Sequence, residues 1–201
     1  MGTSNIPGFD PDHASIPQLI RASTQHFADR NAIRDGDVTL TYRELGQRID
    51  QAARAFVASG VQAGDTIAVW APNCWQWVVA GLAVSRAGAV LVPINTRFKG
   101  NEAAYVLNAA SVKMLFVVDG FLDTDYSGSL VNQDVPKLDA TVDLTSGRAP
   151  GTTNFEDFLS RGDGPAAAEY QAEVELRTDT FRPDDVGAIM FTSGTTGHPK
   201  G

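Results

Sequence analysis

One cysteine, Cys74, stands in 201 residues, so no disulfide can form within the chain. A single thiol fits a reducing compartment, and with no histidine near it in sequence Cys74 reads as a small half-buried side chain rather than a nucleophile. Basic charge is scarce as well. Sixteen Lys and Arg against 24 Asp and Glu leave a net charge of −8, the opposite of the clustered basic surface that nucleic-acid binding requires. The first residues, MGTSNIPGFDPDHAS, have neither a basic start nor an apolar core, so they do not read as a secretory signal. They begin Met-Gly, but Ile6 occupies the position where myristoylation needs Ser or Thr. Only WQWVVAGLAVSRAGAVLVPI, residues 75–94, is long and apolar enough to suggest a bilayer span. Arg86 lies in its second half, ahead of Ala87-Gly88, and an arginine near mid-span costs roughly 2.5–3.5 kcal/mol on insertion scales. The stretch therefore reads as a buried helix, a glycine stop and a buried strand. The expectation is a cytoplasmic protein without an integral membrane segment.

What the chain does contain is the make-up of a folded domain. Hydrophobic residues form 43% and charged residues 20%, in a length that can bury a real core. Ser15 is placed to cap a helix with Ile16, Leu19, Ile20 and Phe27 on one face. Two β-prone runs around Asp35-Gly36 predict a hairpin. Thr41 and Glu44 form a T-x-x-E capping box, and Leu45, Ile49, Ala52, Ala53 and Phe56 stripe the helix it opens, up to Gly60. TIAVW (66–70) then predicts a strand, Asn73 a cap for a helix running to about Ala87, and AVLVPI (89–94) a second strand. A helix over roughly Asn101 to Ala110 and the strand KMLFVV (113–118) follow. Continuous apolar strands alternating with helices predict an α/β fold, a mostly parallel sheet covered by helices on both faces.

From Asp119 to Gly164 turn residues dominate, around a short strand near Ala140–Leu144. A second T-x-x-E box, Thr153 to Glu156, predicts a short helix, and residues 165–176 have helical composition without a clear stripe. DDVGAIMF, Asp184 to Phe191, predicts a last apolar strand.

That strand runs directly into TSGTTGHPKG, residues 192–201. Glycines permit positive φ and close backbone approach, successive amides in such turns form an anion-binding concavity, and strand carboxyl ends are where α/β sheets bind ligands. Thr192, Ser193, Thr195 and Thr196 add hydroxyl donors, Gly194 and Gly197 backbone N–H groups, and Lys200 a point charge. Donors plus one cation, with no acid nearby, suit a polyphosphate. The segment is not a Walker loop: Pro199 lacks an N–H and Gly201 lacks the hydroxyl that would follow the lysine. It is not a dinucleotide fingerprint either, since Gly194 and Gly197 have no third partner.

TSGTTGHPKG resembles the phosphate loop of the adenylate-forming superfamily, which holds acyl-CoA synthetases, luciferases and the adenylation domains of peptide synthetases. LTYREL (40–45), GVQAGDTIAVWAPN (60–73), RAGAVLVPINTRF (86–98) and AAYVLNAASVKMLFVVDG (103–120) resemble that family in order and spacing, so the likeness covers almost the whole chain. VPINTRF is closer to acyl-CoA ligases than to peptide-synthetase domains, and PNCWQWVVAGLAV is similar to ligases of bacterial fatty-acid and steroid degradation.

The resemblance implies a two-step reaction. A carboxylate, fatty or steroid-derived, attacks the α-phosphorus of ATP to give an acyl-adenylate and pyrophosphate, and coenzyme A then displaces AMP to give a thioester. ATP, Mg²⁺ and coenzyme A are the implied cosubstrates. Thr192, Ser193, Gly194, Thr195, Thr196, Gly197 and Lys200 would hold the β- and γ-phosphates, with Arg97 matching an arginine that in some relatives approaches the coenzyme A nucleotide. A solvated loop charge is the equal alternative for Arg97. No residue of the chain is assigned as catalytic or as a metal ligand. The family's adenine motif, ribose aspartate, hinge and C-terminal catalytic lysine find no match here. Residues 1–201 are thus expected to be an incomplete N-terminal AMP-binding domain ending at the phosphate loop, inactive alone and lacking the C-terminal domain. The alternatives are a non-catalytic remnant that at most binds nucleotide weakly, or an adenylation domain of the peptide-synthetase or luciferase-like branch.

Overall fold

The computed structural model describes residues 6, 10, 14–145, 151–192 and 201. An antiparallel hairpin, β1 (Asn31–Asp35) and β2 (Val38–Thr41), turns at Gly36 and precedes a parallel sheet of five strands. These are β3 (Thr66–Trp70), β4 (Val90–Pro93), β5 (Met114–Val117), β6 (Ala140–Asp143) and β7 (Thr153–Asn154), in the spatial order β4-β3-β5-β6-β7. Every pairing within the sheet is parallel. The expected α/β architecture is therefore present.

Helices cover the two faces. On one lie α1 (Ile16–His26), α2 (Tyr42–Ala58), α3 (Trp75–Arg86), α5 (Phe155–Ser160) and α6 (Ala167–Thr180). On the other lie α4 (Gly100–Ala109) and the turns between β5 and β6. The first face is centred on Phe56, Phe116 and Phe158, whose rings meet edge to face with centroids 5.1–5.5 Å apart. Fully burying a side chain of that size stabilises by about 1.5–3 kcal/mol. Close approach of α5 to α2 requires Gly162, where an added Cβ would stand 2.7 Å from the Ala55 nitrogen.

The capping box of α2 forms as expected: the Glu44 carboxylate accepts from the Thr41 N–H at 2.8 Å, and Thr41 Oγ1 accepts from the Glu44 N–H at 3.2 Å. Leu45, Ile49, Ala52, Ala53 and Phe56 are all buried, and Gly60, at φ 79°, ends the run.

Four local expectations are corrected. Helix α3 is not capped by Asn73; its N-cap is Cys74, and the Trp75 N–H donates to the Asp35 carboxylate from the hairpin tip at 3.0 Å. Helix α5 is capped by Asn154, one residue later than expected, its side chain accepting from the Glu156 N–H at 2.8 Å. On α1 only Ile20 of the apolar set is deeply buried, while Ile16 and Leu19 are 52% and 45% exposed. Finally, Asp184–Phe191 does not form a full strand. Gly187 to Ile189 pair in parallel with Leu91 through two backbone hydrogen bonds of 3.0 and 2.9 Å, while Val186 and Met190 are more than half exposed.

The unstriped segment after residue 164 becomes α6, docked by charge more than by an apolar face. Arg177 donates to the carbonyls of Val61 and Ala87, both at 2.9 Å, satisfying groups just past the ends of α2 and α3. Arg86, the charge in the long apolar run, is 2% exposed and donates to Asp50 on α2 at 2.9 Å and to Glu175 on α6 at 2.7 Å. Its burial is compensated by two carboxylates and the Thr178 hydroxyl. Among the described residues no helix is long and apolar enough to cross a membrane.

Candidate nucleotide site

The chain leaves β3 through α3 on one face and leaves β4 through α4 on the other. Because β3 and β4 are neighbours, their loops diverge at the carboxyl edge, and such a reversal is where open α/β sheets bind ligands. The segment through Gly187–Ile189 runs parallel to β4 along its outer side, so it delivers Phe191 and Thr192 to that same edge. Ile189 and Phe191 pack on the apolar cluster that includes Trp70, Val92 and Ile94.

The turn after β4 is firmly held. The Trp70 indole N–H donates to the Asn95 carbonyl at 3.0 Å, and the Tyr126 hydroxyl donates to the Thr96 carbonyl at 3.1 Å. The two rings meet edge to face at 4.6 Å. Asn95 Oδ1 accepts from the Arg97 N–H at 2.9 Å, closing an Asx turn that leaves the Arg97 side chain exposed. Asp119 anchors the Tyr126 segment from below, accepting from the Ser127 N–H and hydroxyl at 2.9 and 2.6 Å.

Of the residues expected at the site, Arg97 and Thr192 are therefore on the carboxyl edge, both exposed. Ser193, Gly194, Thr195, Thr196, Gly197 and Lys200 lie outside the described residues. Sequence reasoning missed Trp70 and Tyr126. A buried indole and phenol each need a hydrogen-bond acceptor, which is a signal, but nothing in the sequence names which carbonyl answers it.

Other features do not compete for the role. A cavity of about 200 Å³ between α1 and α2 is walled partly by Arg86, Asp50 and Glu175, charges already committed to one another. A second, of about 390 Å³, lies by Gly64, Gly88 and Val90, at the amino ends of the strands. Cys74 is half-buried, and burial pushes its thiol pKa up against the opposing pull of the Trp77 and Gln76 N–H groups. Among the described residues no three His, Cys, Asp or Glu side chains stand together as a metal site.

A parallel sheet wound in both directions, with a hydroxyl- and glycine-rich segment following its outermost strand segment, defines an α/β domain of the nucleotide-binding type. Residues 20–201 match the AMP-binding enzyme family, and the chain belongs to it. It is 40% identical over 192 residues to a 3-[(3aS,4S,7aS)-7a-methyl-1,5-dioxo-octahydro-1H-inden-4-yl]propanoyl:CoA ligase of Rhodococcus jostii, covering 93% of this chain and 36% of that protein. A Mycobacterium tuberculosis protein of the same name is 36% identical over 190 residues, covering 94% of this chain and 36% of that one. The chain thus spans about a third of the length of these relatives. The fold is also that of the anthranilate CoA ligase AuaEII, solved with anthranoyl-AMP, at a TM-score of 0.78 and 22% identity over 94% of this chain and 34% of that one.

Proposed function

We propose that the protein carrying this chain activates a carboxylic acid with ATP, as an acyl-adenylate, and passes the acyl group to coenzyme A. The observation that carries the reading is TSGTTGHPKG, following a segment that runs beside β4 to the carboxyl edge of the sheet. In this reading Thr192, Ser193, Thr195 and Thr196, the Gly194 and Gly197 amides, and Lys200 hold the β- and γ-phosphates. Their work is electrostatic: pre-placed donors and one cation stabilise the charge that gathers on pyrophosphate as the carboxylate attacks the α-phosphorus. ATP is taken as its Mg²⁺ complex, the ion belonging to the substrate. AMP leaves in the second step as the thiol forms the thioester. In this reading the 201 residues supply part of the machinery and do not complete adenylation by themselves.

For the acid, the names of the two relatives favour a fused-ring propanoate, that is, a partly degraded steroid, over a simple fatty acid. The test uses the full-length protein with ATP and a panel of fused-ring, aromatic and straight-chain acids, following pyrophosphate release and thioester mass. Acid-dependent pyrophosphate with a coenzyme A thioester is expected. Adenylate without thioester would move the protein to the peptide-synthetase or luciferase-like branch, and no acid-dependent pyrophosphate would overturn the reading.

A further inference from the structure

We infer that Phe191 and Gly201 are positioning residues, whose contact sets the spacing between their chain neighbours Thr192 and Lys200 for the phosphates of ATP. The inference rests on the proposed function for the identity of the ligand, but its geometry stands apart from that reading. Phe191 follows the segment that pairs with β4 through Ala188, and it packs on the cluster of Trp70, Val92 and Ile94, which holds its ring from the core side. A Cβ added at Gly201 would stand 2.8, 2.9 and 3.0 Å from Cζ, Cε1 and Cε2 of that ring. Near-equal distances to three ring atoms put it over the face of the ring, closer than carbon atoms pack. The Gly201 backbone therefore lies on Phe191, and only a residue without a side chain fits there.

Ten positions separate the two residues, enough for an extended chain to span about 33 Å, yet they touch. Thr192 is bonded to one partner of the contact and Lys200 to the other. Holding Phe191 on the core and Gly201 on Phe191 thus fixes the backbone beside the first hydroxyl donor of the segment and beside its cation. Between them stand Gly194 and Gly197, whose backbone freedom works against any fixed placement of donors. A contact at the base removes part of that freedom before ATP arrives, which is the condition for electrostatic stabilisation of the departing pyrophosphate. An alanine at 201 must push the two backbones apart by about 1 Å to reach an ordinary carbon–carbon separation. Misplacement of that size beside reacting groups can slow a reaction by about a hundredfold.

The experiment uses the full-length protein. Calorimetric titration with ATP and Mg²⁺, which needs no acid, is run beside the two half-reactions with the acid that wild type uses best. Wild type is compared with Gly201→Ala, Phe191→Leu and the double variant. Gly201→Ala should weaken ATP by about tenfold and slow adenylation by about tenfold to a hundredfold. Thioester formation from preformed acyl-adenylate should stay within about twofold of wild type, since pyrophosphate has already left. Leucine keeps an apolar side chain on the cluster but lacks the ring atoms that alanine would meet. Phe191→Leu alone should lower both ATP affinity and adenylation by about threefold, because the platform is lost. In that background Gly201→Ala should have at most about a twofold further effect, so the double variant outperforms Gly201→Ala.

An equal effect of Gly201→Ala in both backgrounds, no loss in Gly201→Ala, equal slowing of the two half-reactions, or a wild type that does not bind ATP would each overturn the inference. So would a Gly201→Ala protein that melts well below wild type, since the glycine would then serve the fold and not the placement of donors. Failure of the proposed function reads differently. A protein that binds ATP with this pattern of rescue but releases no pyrophosphate with any acid refutes that function and leaves Phe191 and Gly201 in their role. Acid-dependent pyrophosphate that Gly201→Ala leaves unimpaired does the reverse.

Discussion

Arg86 and Arg97 stand eleven positions apart in the sequence and have opposite surroundings. Arg86, at the end of α3, is 2% exposed and bound by Asp50, Glu175 and Thr178 from two other helices. Arg97, beyond β4, is exposed on a turn whose backbone is hydrogen-bonded, and its side chain makes no hydrogen bond or ion pair among the described residues. One face of the domain uses its charges to hold helices together; the carboxyl edge holds its backbone still and leaves its charge to something else. The contrast separates a charge that holds the fold together from one that, under the proposed function, is left for a ligand.

The largest effect expected from breaking this contrast is at Arg86. Arg86→Met removes the cation shared by Asp50 and Glu175 and should destabilise the full-length protein by about 3 kcal/mol. The lower end of the range applies because both carboxylates keep more than a third of their side-chain surface and can take up water. Arg97→Met, with no partner to strand, should cost less than about 0.5 kcal/mol. Urea denaturation of the two variants decides it, and equal losses would erase the distinction.

Next comes Lys200, whose charge should meet pyrophosphate as it separates. Lys200→Ala is expected to slow adenylation by about tenfold to a hundredfold, the loss of one charge-assisted contact. Thioester formation from preformed acyl-adenylate should be nearly unchanged, since pyrophosphate has already left. Slower thioester formation with normal adenylation would contradict the phosphate role.

A smaller effect is expected where the hairpin meets α3. Asp35→Ala removes the acceptor for the Trp75 N–H and should cost about 1 kcal/mol, as loss of an N-terminal cap does. Asn73→Ala should cost almost nothing, although the sequence places Asn73 where a cap would be expected. The denaturation midpoints of the two variants test the assignment directly.

This last pair also indicates how far the sequence could be read. Local signals survived into the structure: the Thr41–Glu44 box, the glycine after α2 and the apolar strands at 66–70 and 114–117 all formed where short-range chemistry placed them. What escaped reading was supplied from a distance. The α3 N-terminus is satisfied by Asp35, 40 residues earlier, and α6 docks through Arg177 to a carbonyl 116 residues away, with no apolar stripe to announce it. The site divides in the same way. Residue types alone nominate the segment 192–201 and Arg97, whereas the Trp70 and Tyr126 contacts join positions 25 and 30 residues from the carbonyls they hold.

The smallest effect concerns pH and the cohesive face. Burial alone would raise the Glu175 pKa, but hydrogen bonds from Arg86 and Arg21 outweigh it and bring the carboxyl below its ordinary value. A carboxyl whose pKa is lower folded than unfolded binds its proton more tightly in the unfolded chain, so its stabilising contribution is complete above the unfolded pKa, about 4.3 for glutamate. That contribution is lost as pH falls through the lower, folded value. Glu175→Gln should therefore melt below wild type at neutral pH by a few degrees at most, since the side chain is partly solvated and its pairs are screened. The gap should narrow on acidification below about pH 4.3, where wild type begins to lose what the variant never had. Melting curves of both proteins between neutral and acid pH read this difference. A gap that stays constant with pH would mean that Glu175 acts through packing, and that the ion pairs around Arg86 contribute less to cohesion than the comparison with Arg97 requires.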